Sequence, residues 1–306
     1  MTSSPTSTGT SPTNAGAARP VTTHAIAAPG ARITYDVHGN LAEATRETPP
    51  LFLAGSPMDA SGFGTLASHF ADRVVVTYDP RGVGRSTKDD PSAESTPAEH
   101  ADDMHRVIAD LGVGPVDLFG SSGAAVNALV LVATRPQDVR TLVAHEPPAA
   151  SALPDRENAY AAVREIQDAY RRDGWGAGMA RFIAVTSHQG EFPDDFADQP
   201  KPGPADVGMP AEDDGSRDDA MLHQNLVSCT HHEHDVAALR AAPTRVVVAV
   251  GAESGGEMAA RAGRAVAAQL GLEPLIFPGD HGGFLGGEFG MTGKPTEFAA
   301  ALRAAL

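Results

Sequence analysis

The chain has 306 residues, is 42% hydrophobic and 20% charged, and carries a formal net charge of −16. That composition can bury a sizeable core, and the acidic balance argues against nucleic acid or an anionic membrane surface as partner. A single cysteine, Cys229, excludes a disulfide framework, and no apolar run approaches the roughly 18 residues needed to span a membrane.

The first 22 residues, rich in Ser, Thr, Pro and Gly, have neither a basic start nor an apolar stretch. They read as a disordered tail rather than a signal peptide, so the cytoplasm is the expected location. From Arg32 onward, short apolar runs alternate with longer amphipathic ones. Strands are expected at Arg32–Val37, Leu51–Ala54, Val74–Tyr78, Val116–Phe119, Thr141–His145, Thr244–Val250 and Pro274–Phe277. Helices are expected at Thr96–Leu111, Ala124–Arg135, Glu257–Leu270 and Pro295–Leu306. Continuous β-branched runs suit strands buried on both faces, and the alternation predicts an α/β fold with a mostly parallel sheet. The pattern breaks between 151 and 242, where helical periodicity (Asp155–Arg172, Ala177–Thr186) gives way to a Pro/Gly/Asp-rich stretch. The expected layout is a core of 23–150 and 243–306 with a helical cap at 151–242.

The most informative segment is Val116–Ala124, where an apolar strand runs into Gly120-Ser121-Ser122-Gly123-Ala124 and then directly into a helix. Small-x-Ser-x-small between strand and helix is the form of a nucleophile elbow, which makes Ser122 the candidate nucleophile. A serine hydroxyl is unreactive until a base, an orienting acid and oxyanion donors converge on it. In a parallel sheet those partners belong at the carboxyl ends of the strands. His281 is the candidate base, since the last strand runs into Pro278-Gly279-Asp280-His281-Gly282-Gly283-Phe284.

The acid has two candidates. The usual place follows the strand before the base strand, but the position three residues after Gly251 is Ser254, and Glu253 falls one residue short. Glu146, at the end of the strand beside the elbow strand, is preferred because an imidazole would supply the partner a buried carboxylate needs. Glu253 stays open as the alternative acid. Gly123 and Ser56, in Ala54-Gly55-Ser56-Pro57-Met58, are the candidate oxyanion donors. Asp79-Pro80-Arg81-Gly82-Val83-Gly84 reads as a tight turn that frames the site without doing chemistry. Gly290-Met291-Thr292-Gly293-Lys294-Pro295 lacks the spacing of a phosphate loop. Cys229-Thr230-His231-His232-Glu233-His234 crowds five potential ligands into six residues that cannot all face one ion, so neither metal nor cofactor is expected. The stretch reads instead as the cap's return to the core, with one histidine near the substrate. Trp175, Met179, Phe182, Phe192, Met221 and Leu222 are the candidates for an apolar pocket wall.

Together these residues resemble the α/β-hydrolase superfamily over most of Arg32–Leu306, in the chain order Ser122, acid, His281. Within it, the elbow and the motif His145-Glu146-Pro147-Pro148, ten residues after Pro136, resemble the fungal zearalenone lactone hydrolases. That resemblance implies Glu146 as triad acid and Ser56 and Gly123 as oxyanion donors. It does not carry the substrate, because the cap shows no matching motif and ordinary carboxylesterases fit almost as well. The expected activity is hydrolysis of a small-molecule ester or lactone through an acyl-serine. A non-hydrolytic binding protein and a prolyl-type aminopeptidase are the alternatives. Nothing marks a subunit interface, so homo-oligomerisation stays open.

Overall fold

The computed structural model describes residues 19–306. Positions 1–18 of the expected tail lie outside the described residues, and its last two residues open a strand that was not expected. That strand, β1 (Val21–Ala28), pairs antiparallel with β2 (Ala31–His38) at one edge of the sheet. Its burial pattern is mostly exposed, so it carries little of the apolar signal by which strands are recognised.

The chain continues through β3 (Leu51–Ala54), α1 (Gly64–Ser68), β4 (Val75–Asp79), the short β5 (Thr87–Lys88), α2 (Pro97–Leu111) and β6 (Val116–Ser121). It then forms α3 (Gly123–Thr134), β7 (Val139–His145), α4 (Arg156–Asp173), α5 (Trp175–Thr186), α6 (Leu226–Thr230) and α7 (Val236–Ala241). β8 (Arg245–Gly251), α8 (Met258–Leu270), β9 (Leu275–Phe277) and α9 (Pro295–Ala305) complete it. The strand order is β1-β2-β4-β3-β6-β7-β8-β9, with β5 beside β2. From β4 to β9 all neighbours run parallel.

Local chemistry sets the element ends. α2 starts at a capping box, in which Thr96 and Glu99 satisfy each other's backbone N–H groups, with Pro97 in its first turn. It stops at Gly112, whose φ of 66° is the left-handed turn that glycine takes at least cost. The sheet separates two apolar layers. Leu118, Leu129, Leu142 and Val107 pack on one face, under α2 and α3; Phe63, Phe119, Phe298 and Leu302 pack on the other, under α1 and α9. A third cluster, including Val163, Ile166, Tyr170 and Leu222, lies among the helices between β7 and β8. α7 falls within the segment expected as cap, yet its Leu239 belongs to the sheet core beside α3.

The register aligns the strand ends that matter. Ala54 pairs with Gly120, Ser121 with His145, and His145 with Ala249. The turn after β4 is anchored by a buried ion pair: Arg81 donates to Asp103 at 2.7 and 2.9 Å, and to the half-exposed Glu99 at 2.8 Å. Removing one partner of a buried pair strands the other. Asp103→Ala is therefore expected to lower stability by about 3–5 kcal/mol in denaturant titration, whereas a loss below about 1 kcal/mol would mean that Glu99 alone satisfies Arg81.

Candidate active site

The elbow forms because only small residues fit around it. A Cβ on Gly120 would lie 2.8 Å from the Ala124 carbonyl oxygen, and one on Gly123 would lie 2.8 Å from that of Ser56. Between them Ser122 adopts φ 58° and ψ −129°, a region costly for an L residue and held by its surroundings. Its N–H donates to the His145 carbonyl at 3.0 Å, tying the elbow to the end of β7. Ser122 also stands at the N-terminus of α3, where the helix dipole favours negative charge.

His281 and Glu146 meet: His281 Nδ1–H donates to Glu146 Oε2 at 2.7 Å. Glu146 is 0% exposed, and its other oxygen accepts the Gly251 N–H at 2.8 Å. Burial pushes this carboxyl toward the neutral form, but the His281 hydrogen bond and the neighbouring imidazoles outweigh it and bring its pKa down to about 2. An ionised carboxylate only accepts, so the proton sits on Nδ1 and leaves Nε2 as the ring's basic nitrogen. Ser122 and His281 line the same cavity, and no direct hydrogen bond joins them here. Glu253 lies elsewhere: 53% exposed and paired with Lys294. Ser254, at the more usual acid position, is fully buried.

One neighbour was not singled out by the sequence. His145 is fully buried, its Nδ1 is 3.1 Å from Ser121 Oγ, and its Nε2 has no partner among the described residues. Its ring stacks on His281 at 6.0 Å between centroids and meets the Phe298 edge at 5.2 Å. Burial pushes its pKa down to about 4, against the opposing pull of Glu146 and with His281 adding to the push. His145 is therefore neutral near pH 7. The available signal was positional, since the register sets it directly opposite Ser121.

A cavity of about 790 Å³ opens over these groups, lined by Ser56, Ser122, Gly123 and His281. Of the candidates for an apolar pocket wall, Met179, Phe182 and Met221 line it. Trp175 and Leu222 do not. Trp175 lies a turn before Met179 and donates its Nε1–H to Asp219 at 3.1 Å, while Leu222 turns into the helical cluster with Phe192. Met179, Phe182, Ile183 and Thr186 form the i, i+3, i+4, i+7 face that α5 presents to the cavity. The Cys229–His234 stretch differs from expectation too, because Cys229 and Thr230 reach the cavity and its histidines do not. His231 stacks on Tyr160, and His232 packs against His234. Burial pushes the Cys229 thiol up to about 12, so it stays protonated beside the Gly123 carbonyl.

A family model described as alpha/beta hydrolase fold matches residues 49–215, more than half of the chain. A relative from Bacillus subtilis, the uncharacterized hydrolase YraK, is 37% identical over 121 residues, which is 39% of this chain and 42% of that relative. The match thus spans less than half of the relative's length. Among solved structures, a hydrolase from Pseudomonas aeruginosa PA01 superposes with a TM-score of 0.60 at 17% identity, covering 95% of this chain and 99% of that one. A thermophilic esterase from Thermogutta terrifontis gives 0.56 at 18% identity over 83% of this chain and 89% of its own. At these identities the structural likeness speaks to the fold alone.

The buried imidazoles fix the sign of an acid response. His100 and His145 have pKa values near 4 and His234 near 3, all below the ordinary 6.5. Their contribution to stability is complete above about pH 6.5 and is lost as pH falls toward 4, because the unfolded chain binds the protons the folded one refuses. In urea titrations across that window His145→Phe should make the dependence shallower by about one proton, or about 1.4 kcal/mol per pH unit; an unaltered slope would mean that His145 is charged in the folded state.

Proposed function

The chain belongs to the α/β-hydrolase fold family, and from that premise we propose that it hydrolyses a carboxylic ester or lactone through an acyl-serine intermediate. One observation carries the reading. The buried, ionised Glu146 holds the Nδ1–H of His281 at 2.7 Å in the cavity that also receives the strained Ser122.

His281 Nε2 takes the proton from Ser122 Oγ as that oxygen attacks the carbonyl carbon. The N–H groups of Gly123 and Ser56 receive the oxyanion, and the positive end of α3 adds to their field. Collapse of the tetrahedral intermediate breaks the bond to the alcohol oxygen, which leaves with the proton from His281. Water then attacks the acyl-serine with His281 again as base, and Ser122 is regenerated as the acid departs. Glu146 stays ionised throughout, keeping the imidazole in one tautomer and stabilising its cation. Within this class a lactone is the narrower reading, and the Glu146–His281 bond serves it and an open-chain ester equally.

With p-nitrophenyl acetate, Ser122→Ala and Glu146→Gln should each lower kcat by about 10³–10⁴-fold or more. Glu253→Gln should stay within about twofold, as expected of an exposed surface pair. Collapse in Glu253→Gln with Glu146→Gln active would reverse the acid assignment, and an active Ser122→Ala would end the acyl-serine mechanism. A macrocyclic lactone, assayed beside the esters, tests the narrower reading: kcat/KM above that of p-nitrophenyl acetate supports it, and no ring opening rejects it.

A further inference from the structure

Three non-glycine residues among the described residues hold a left-handed φ: Ser122 at 58°, Glu146 at 46° and Phe289 at 56°. Two of them are the nucleophile and acid assigned above. The third lines the same cavity. Phenylalanine is a poor occupant of that region, which glycine or asparagine takes at less cost. Burial does not compensate either, because Phe289 is 63% exposed and its neighbour Met291 is 51% exposed. The backbone thus holds two apolar side chains out at the cavity's mouth.

The loop that carries them is pinned. The Glu288 carboxylate accepts the N–H of Thr65 at 2.7 Å and that of Gly286 at 2.6 Å, and the Gly287 N–H donates to the Met291 carbonyl at 2.9 Å. Gly286 and Thr292 close its base as an isolated bridge. Behind this lip the wall is soft and apolar. Met58, Met179, Met221, Met258 and Met291 all line the cavity, five of the eight methionines in the sequence, and thioether side chains adapt to varied apolar shapes. Its charged lining runs one way: Glu257 and Asp280 face it, and no Lys or Arg does among the described residues. An anionic substrate would lose hydration there without gaining a cation.

We propose that Phe289 and Met291 form a specificity-determining lip that grips the apolar arm of a neutral ester or lactone, so that the site selects uncharged substrates with a long apolar chain or ring over short or anionic ones. This rests on the ester-hydrolase reading above. A phenyl ring gains only what the substrate buries against it, so the selection scales with apolar length and acts on binding of the arm, away from the reacting carbonyl.

The test compares p-nitrophenyl acetate, p-nitrophenyl octanoate and octyl acetate, which lengthen the acyl and the alcohol arm in turn. The proteins are wild type, Phe289→Asn, which keeps the backbone conformation without the apolar ring, and Phe289→Leu, which keeps an apolar side chain. Wild type should prefer at least one octyl-bearing ester over p-nitrophenyl acetate by about tenfold or more in kcat/KM. Phe289→Asn should cut that ratio at least about fivefold, with the loss in KM, and Phe289→Leu should restore most of it. p-Nitrophenyl hemisuccinate should be cleaved at least about tenfold less efficiently than p-nitrophenyl butyrate. A ratio that survives Phe289→Asn in a folded protein, a preference for acetate, or an equal rate on hemisuccinate would each overturn the lip. Absence of turnover on every ester is the separate outcome that removes the ester-hydrolase reading itself.

Discussion

A fully buried carboxylate stays ionised only when hydrogen-bond donors meet its oxygens, and the end of β7 is organised around that requirement. Glu146 has both oxygens occupied, one by the Gly251 N–H and one by the His281 ring. Its own N–H donates to the Ala249 carbonyl at 2.9 Å, so the residue is pinned between β7 and β8 in a backbone conformation with φ 46°. The strain and the burial are both costs, and the network they create offsets them. Taking away either partner would leave a buried charge without compensation.

That one residue sets the position of the rest. His281 arrives on a loop whose Gly279 adopts φ 85°, and Glu146 decides which of its nitrogens is left free. On the other side, the carbonyl of His145 receives the Ser122 N–H, so Ser122 is tied to the residue that directly precedes Glu146. Aromatic rings of Phe119, Phe277, Phe284 and Phe298 pack around His145 at this strand end. A neutral imidazole suits the place, because a cation there would compete with the His281 ring for the charge of Glu146.

Much of this was legible in the sequence, for reasons that can be named. The interior strands are continuous β-branched runs, and the elbow needs small residues at fixed offsets; both are local signals. The proposed nucleophile and acid each sit one step past a strand end, and the proposed base lies four residues past β9, so all three are readable once the strands are placed. β1 escaped because an edge strand with little burial shows no apolar pattern. Trp175 and Leu222 lie away from the cavity because an apolar residue between β7 and β8 faces either the cavity or the helical cluster, and composition cannot say which. Phe289 and Met291 carry no motif at all; what marks them is backbone conformation and exposure, and both exist only in three dimensions.

The most direct measurement of the central claim is the imidazole proton between Glu146 and His281, observed by nuclear magnetic resonance in wild type, Glu146→Gln and Glu253→Gln proteins. A ring N–H donated to a buried carboxylate resonates far downfield and exchanges slowly. The account predicts such a resonance in wild type, its persistence in Glu253→Gln and its loss in Glu146→Gln. A resonance that survives Glu146→Gln, or one that disappears in Glu253→Gln, would contradict it.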